Sequence, residues 1–393
     1  MAEATDRRER LLWTVAIFAF VTTDAVGFQL RGALLPSIEG SFQVSQAALG
    51  LVATAGTLGF VASVLVVGLV AGRIDIYRAL LGSAAVVAVG AVLTGIAPVF
   101  LVFLAALFLR GVATGPFRAL DRAVLGHLYP DGRARIFNRY ALVWAAGAAA
   151  GPLVVTAALA AGNWRFAYGV VAVGFLVSTA LLARLDLPDS VATERELTLA
   201  DLREVVRKPA VAGMTGVLVF NGGIEGTLFT WLPYFAGRQL PAMEANLVLS
   251  TFLAAYVPGR LAYSYLADRT GRTLDLVLVT LTLTLPALLA TIYLASGRWL
   301  FVAVFALGLV ISATFPTLSA FGMNAAPEYS GPVNAISTSA GYVGIALVPP
   351  LVGLLAERVG LRTALGILPV LLVAMLVVAG VTRVYQARRG APT

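Results

Sequence analysis

The residues of this chain that could do chemistry are charges set inside apolar stretches. Asp24, Asp121 and Glu225 are acids surrounded by Gly, Ala, Val, Leu and Phe, and Arg31, Arg110, Arg118, Arg122 and Arg260 are bases in similar surroundings. In hydrocarbon each ionised group costs about 2.5–3.5 kcal/mol on insertion scales, so such groups face the protein interior, pair or act. A carboxylate that moves between a dry site and the neighbourhood of an arginine gains and loses a proton as it does so. A guanidinium holds a carboxylate or similar anion through two parallel N–H donors. Asp24 and Glu225 are therefore candidates for proton carriage. Arg260, Arg110 and Arg31 are candidates for holding an anionic substrate.

Spacing sharpens these assignments and leaves alternatives open. Asp24 and Arg31 lie two turns apart on one helical face, and Arg31 is near enough to a helix end to snorkel. Asn221 and Glu225 are one turn apart in a later segment. Asp24 precedes Pro36 by twelve residues and Glu225 precedes Pro233 by eight, which places the two acids about a turn apart in depth. The competing reading for either acid is a permanent ion pair with Arg31 or Arg110. Arg110, Thr114, Arg118 and Asp121 form one polar stripe, with Arg122 beside it. Arg118, Asp121 and Arg122 read as a solvated cluster at the inner mouth, Arg118 and Asp121 being gating candidates. Arg110 is deeper, and either contacts substrate or makes a structural pair. Arg260 lies eight residues before Asp268, about 12 Å of helical rise. That is long for snorkelling, so Arg260 either pairs with Glu225 or binds an anion, and Tyr256 and Tyr342 could add hydroxyls to its site.

The elements that position these groups are membrane spans. The chain is 393 residues, 59% hydrophobic and 12% charged, with mean hydropathy +0.90; a soluble chain carries about a quarter charged residues. Apolar stretches of spanning length, on the order of 20 residues, fall near 11–34, 46–71, 79–97, 99–124, 138–161, 166–184, 210–235, 246–267, 274–295, 299–320, 334–356 and 363–384. Long unbroken apolar runs exclude a transmembrane barrel, whose strands alternate. The expected fold is an all-α polytopic membrane protein of twelve helices. No cleavable signal is expected, because the first apolar stretch is too long and lacks a cleavage box.

Loop charge sets the orientation. With the N-terminus inside, eighteen basic residues fall on the inner side and five (Arg165, Arg238, Arg298, Arg358 and Arg362) on the outer side. This bias puts both termini in the cytoplasm of a plasma or inner membrane. The net charge of +8 is thereby a topology signal, and nucleic acid drops out as a partner. There is no cysteine, and the single histidine, His127, stands beside Tyr129-Pro130, where a loop is expected. Neither a metal site nor a cofactor is expected. With no phosphate-binding loop and no nucleophile–base pair, neither is an enzyme.

The segment 185–209 is polar, and within it 198–207 reads as a short amphipathic helix. It divides the chain into 1–184 and 210–393, six stretches on each side. The halves echo one another. The first stretch ends Leu34-Leu35-Pro36 and the seventh Trp231-Leu232-Pro233. The fifth carries Gly147 to Pro152 and the eleventh Gly341 to Pro350. Repeats of this kind let two six-helix bundles rock about a site near the bilayer midplane.

Between the eighth and ninth stretches lies Leu266-Ala267-Asp268-Arg269-Thr270-Gly271-Arg272. It resembles the loop motif of the major facilitator superfamily, and the similarity runs over essentially the whole chain. The family's usual glycine before the leucine is Ser264, and in the first half Gly72 and Asp75 stand where Asp and Gly are usual. The resemblance implies a secondary transporter working by alternating access, with gating at Asp268, Arg269, Gly271 and Arg272, and a monomer sufficing. Arg110 with Gly111 and Gly115 looks like the family's fourth-helix arginine motif, and Gly147 to Pro152 like its fifth-helix Gly-Pro motif, common in antiporters. The position of Arg260 resembles the eighth-helix arginine of monocarboxylate and nitrate members, which implies anion binding. Phe315-Pro316-Thr317-Leu318 resembles sugar–proton symporters, but Gly32 and Pro116 occupy the places of their carboxylates. The reading is then a proton-coupled transporter of a small organic anion. The alternatives are an efflux antiporter for hydrophobic compounds and a neutral sugar symporter. From another class, a channel or a receptor without transport would need a continuous pore or a signalling domain.

Overall fold

The structure, a computed structural model, describes residues 2–70, 74–185, 199–270, 273–326 and 329–388. All of its regular structure is helical, as membrane-embedded segments must be when no water is present to satisfy backbone polar groups. The helices are α1 (Ala2–Ala33), α2 (Leu35–Phe42), α3 (Gln46–Val70), α4 (Ile76–Ile96), α5 (Phe100–Leu128), α6 (Arg133–Ala160), α7 (Phe166–Leu182), α8 (Leu199–Arg207), α9 (Pro209–Ala236), α10 (Ala242–Ala254), α11 (Tyr256–Thr270), α12 (Thr273–Leu289), α13 (Trp299–Ile311), α14 (Thr314–Ala325), α15 (Ser330–Val359), α16 (Leu361–Ala364) and α17 (Ile367–Arg388). A π-helical turn, Ala290–Leu294, prolongs α12. The chain is a multi-pass membrane protein. Leu101, Trp299 and Leu294 are 76%, 74% and 80% exposed, which suits lipid rather than water.

Among the described residues, nine helical segments are long and apolar enough to cross a bilayer. The other three apolar stretches are helical too, each with its own departure. The stretch 166–184 is α7, 17 residues long. The stretch 210–235 is α9, whose 28 residues include the polar run Asn221, Gly222, Gly223 and Glu225. The stretch 246–267 is not one helix: it breaks at Ala255 into α10 and α11. Pro258 explains the break. It has no N–H for the Ala254 carbonyl, and its ring crowds that turn. Pro316 acts in the same way four residues after Ser312, where α13 gives way to α14. His127, expected in a loop, belongs instead to the last turn of α5, with its Nδ1 2.7 Å from the Ala123 carbonyl. The short helix α8 forms within the polar segment, and the apolar side chain of Val205 is fully buried.

The chain forms two compact units, residues 1–37 with 55–196 and residues 38–54 with 197–393. In the first, α1 packs most extensively on α6, and α4 on α5 and α7. Its core includes Phe20 stacked on Phe117, ring centroids 3.5 Å apart, and Phe175 beside them. In the second, α9 packs on α15 as α1 packs on α6. The α9–α15 contact is backbone against backbone: a Cβ on Gly222 would collide with the Gly341 carbonyl, and one on Gly344 with the Val219 carbonyl. Such small-residue seams are how helices approach closely where no hydrophobic effect drives them together.

Residues 38–54, which include the first turns of α3, pack with the second unit. The Tyr234 hydroxyl donates to the Glu39 carboxylate, 2.9 and 3.0 Å from its two oxygens, and accepts from Gln46 Nε2 at 3.3 Å. The Ala47 N–H donates to Glu357 Oε1 at 3.0 Å. Thr54 Oγ1 donates at 2.7 Å to the Ala346 carbonyl, which Pro350 leaves without its usual helical donor.

The seam makes a prediction of opposite signs. Gly222→Val should lower unfolding stability in detergent by about 1–3 kcal/mol, through overpacking against Gly341. Gly380→Ala in α17, where an added Cβ meets nothing within 4 Å, should raise it by about 0.5–1 kcal/mol. Equal effects of the two substitutions would remove the seam as the reason.

Candidate functional site

In the second unit, four candidate residues come together. Glu225, half-buried on α9, accepts a hydrogen bond from the Tyr256 hydroxyl on Oε1 at 2.6 Å and from Asn221 Nδ2 on Oε2 at 3.0 Å. Asn221 is 1% exposed and sits one turn below Glu225 on the same helix, beside the glycine seam that fixes α9. Tyr256 is the first residue of α11, placed there by the Pro258 break. Its ring carries the Arg260 guanidinium, 5.2 Å from the centroid and one turn further on. One tyrosine thus touches the acid with its hydroxyl and the base with its face.

Among the described residues no ion pair joins Glu225 to Arg260, so that alternative for Arg260 does not form. The charge of Arg260 still acts on the carboxylate at longer range. Arg260 is anchored elsewhere: its Nε donates to the Ser312 carbonyl at 3.3 Å. That carbonyl is available because Pro316, the residue that would complete its helical bond, has no N–H. Gly259 makes the approach possible, since a Cβ there would lie 2.6 Å from the Leu309 carbonyl. Tyr342 is half-buried on α15, next to the Gly341 of the seam.

In the first unit, Arg31 does not snorkel. It is 6% exposed, donates from Nε to the Phe28 carbonyl at 3.1 Å and from Nη1 to Thr57 Oγ1 at 3.4 Å, and lies 4.0 Å from the Phe28 ring centroid. Asp24 is half-buried on the same helix, seven residues before Arg31. Arg110 is 6% exposed in the middle of α5, against Gly27 of α1.

The inner-mouth cluster is not solvated throughout. Arg122 is exposed, but Asp121 is fully buried and accepts from the Tyr140 hydroxyl of α6 at 2.5 Å. The Arg118 and Arg122 guanidiniums lie 5.3 and 5.1 Å from the Tyr140 ring centroid. The acid is therefore held by a neutral donor between two cations. Tyr140 is nineteen residues from Asp121, on another helix, so spacing along α5 does not reveal it. Ser312 also escapes a search for charges, although a residue four before a proline is a legible sign of a freed carbonyl. Of the gating candidates, Arg269 is exposed with its guanidinium 4.3 Å from the Tyr265 ring centroid. Gly271, Arg272 and the side chain of Asp268 lie outside the described residues.

The family model described as Major Facilitator Superfamily matches residues 15–241 and 238–392. The chain belongs to that superfamily. Its general activity is secondary active transport across a membrane, and the loop, fourth-helix and fifth-helix motifs fall within the matched superfamily regions. Among solved structures, the chain is similar to an inward-facing, unoccupied bacterial homolog of the human lysosomal transporter Spinster, with TM-score 0.79, 17% identity and coverage of 95% of this chain and 97% of that one. It is also similar to the nucleoside transporter NupG, with TM-score 0.79, 10% identity and coverage of 95% and 99%. A third likeness is to the peptide transporter POT in complex with sulfate, with TM-score 0.76, 15% identity and coverage of 96% and 94%. At these identities the superfamily fold is what is shared. No curated protein sequence matches the chain.

The Arg260 anchor can be tested with a double-mutant cycle. Pro316→Ala supplies the missing N–H to the Ser312 carbonyl, so Arg260→Leu should cost about 0.5–1.5 kcal/mol less in that background than in the native one. Denaturant unfolding of the purified protein measures both, and strictly additive effects would mean that the anchor contributes nothing.

Proposed function

We propose that this superfamily member is a proton-coupled transporter of a small organic anion, working by alternating access, with Glu225 as the proton carrier. The observation that carries the reading is the Tyr256–Glu225–Asn221 cluster. A half-buried carboxylate is held by two neutral donors, with a guanidinium close by that is not committed to it. A carboxylate held by neutral donors can accept a proton without breaking an ion pair. Arg260 is the second actor. If its guanidinium leaves the Ser312 carbonyl for Glu225, the ionised acid is favoured and the proton is released. An incoming carboxylate competes for the same guanidinium, which couples anion binding to the proton.

The proposed topology has twelve spans in two six-helix bundles, 1–184 and 210–393, joined by a cytoplasmic linker at 185–209. Both termini face the cytoplasm of a plasma or inner membrane, as loop charge supports. Asp24 is the second candidate proton carrier. Asp268, Arg269, Gly271 and Arg272, with Arg118 and Asp121, are the proposed gating residues. A second reading, efflux of hydrophobic compounds against protons, draws support from Gly147 and Gly151. These bring α6 close to α1, a Cβ on Gly147 lying 2.6 Å from the Thr22 carbonyl.

Proteoliposomes with an imposed pH gradient, offered monocarboxylates, sugars and cationic dyes, test the proposal. Anion uptake should follow the proton gradient. Glu225→Gln should reduce gradient-driven uptake at least about tenfold, the scale of general acid–base contributions, while leaving anion exchange intact. Arg260→Ala should reduce both. Dye extrusion that ignores Arg260 would overturn the anion reading in favour of efflux.

A further inference from the structure

One stretch of chain belongs to the first unit by covalent continuity and to the second by packing. Residues 38–54 fall in the second unit, while Ser37 before them and Ala55 after them fall in the first. Helix α3 crosses that boundary as one unbroken helix, Gln46–Val70, with no proline to hinge it. Its first turns dock on α15 as a ladder. A Cβ on Gly353 would collide with the Gln46 carbonyl, one on Gly50 would lie 2.5 Å from Pro350 Cα, and Thr54 Oγ1 reaches the Ala346 carbonyl at 2.7 Å. Steps of four residues along α3 thus meet steps of three or four along α15 in the opposite sense, one helical turn at a time. Two carboxylates finish the contact. Glu357 of α15 accepts from the Ala47 N–H at 3.0 Å, and the Ser45 hydroxyl bonds the same carboxylate. It covers the start of α3, where N–H groups have no helical partner and negative charge is favoured. Glu39 accepts from the Tyr234 hydroxyl, which in turn accepts from Gln46 Nε2 at 3.3 Å. Glu357 is exposed, and Glu39 and Tyr234 are half-buried, so water is at hand to replace these bonds when they part.

We propose that residues 38–54 are a releasable strap on the second unit, latched by Glu357 on the start of α3 and by Glu39 through Tyr234, and that the transport cycle undoes and remakes this latch. The inference rests on the alternating-access reading. If the bundles rock, an unbroken α3 follows its longer part in the first unit, and its first two turns leave α15. In the proposed topology these ends of α3, α9 and α15 face outside. Glu39, Tyr234 and Glu357 take no part in the Tyr256–Glu225–Asn221 cluster, so latch and proton coupling can be altered separately.

The chain has no cysteine, so one introduced thiol reports on the strap. Ala53 is 3% exposed and shares the face of α3 that carries Gln46 and Gly50. In proteoliposomes without substrate or gradient, Ala53→Cys should react with a membrane-impermeant maleimide slowly but to completion, because the strap opens intermittently. Its rate is scaled to that of Met243→Cys, an exposed position at the start of α10. Glu357→Ala and Tyr234→Phe should each raise the scaled rate about fivefold, the size of one lost hydrogen bond. Val304→Cys, fully buried on α13, should stay slow in both backgrounds. No rise in either variant overturns the inference, as does a rise that Val304→Cys shares, which would be general loosening, or an Ala53→Cys that never reacts. If one latch variant fails to fold, the other decides. Labelling that follows the latch in a protein that takes up no anion leaves the strap standing and removes the substrate reading. Proton-coupled anion uptake with both latch variants labelled at the native rate does the reverse.

Discussion

A polar group taken out of water must find a partner inside the protein, and in this chain that requirement governs backbone and side chains alike. Helices meet it for most of the backbone. Where prolines remove a donor, side chains substitute. Pro316 leaves the Ser312 carbonyl to Arg260, and Pro350 leaves the Ala346 carbonyl to Thr54. These prolines are thus more than interruptions. Each creates a fixed acceptor at membrane depth, and a side chain from a different helix docks on it. Arg260 owes its position to that docking and to the glycine before it.

The ionised side chains meet the same requirement by three routes. Asp121 takes a neutral hydroxyl from Tyr140 and the fields of Arg118 and Arg122. Glu225 takes two neutral donors. Arg31 takes a backbone carbonyl, a threonine hydroxyl and an aromatic face. The ion pair that is one alternative for Glu225 with Arg260 does not form among the described residues. A desolvated ion pair is expensive to break, and a transporter whose charges were locked in pairs would resist the exchange of partners that proton coupling needs. Neutral donors hold a carboxylate firmly while leaving its protonation free to change.

Much of the architecture is legible in the sequence because hydrocarbon is such a restrictive solvent. The apolar stretches become helices, the polar segment after 185 carries a short helix, and the paired glycine motifs mark the seams between α1 and α6 and between α9 and α15. What is not legible is tertiary. Composition makes 246–267 one span, because Pro258 is a single residue in a uniformly apolar run and its effect depends on local geometry. Arg31 reads as a snorkelling residue because its depth in the sequence does not reveal Thr57 and Phe28 closing over it. Asp121 reads as solvated because Tyr140 arrives from another helix. For the candidate site, the spacing of Asn221 with Glu225 and of Tyr256 with Arg260 was visible as helical periodicity. That a single tyrosine joins the two pairs depends on how α9 and α11 pack.

The pseudo-repeat then takes on chemical meaning. In both units the helix that opens the half, α1 or α9, is held by a small-residue seam to a later helix, so its polar face is fixed in position. The polar groups on the two faces differ in kind. On α9 the seam presents Glu225, an acceptor already supplied with donors. On α1 the corresponding face presents Asp24, Gly27 and Arg31, so an acid and a base share it, and the base is held by the Phe28 carbonyl and the Thr57 hydroxyl.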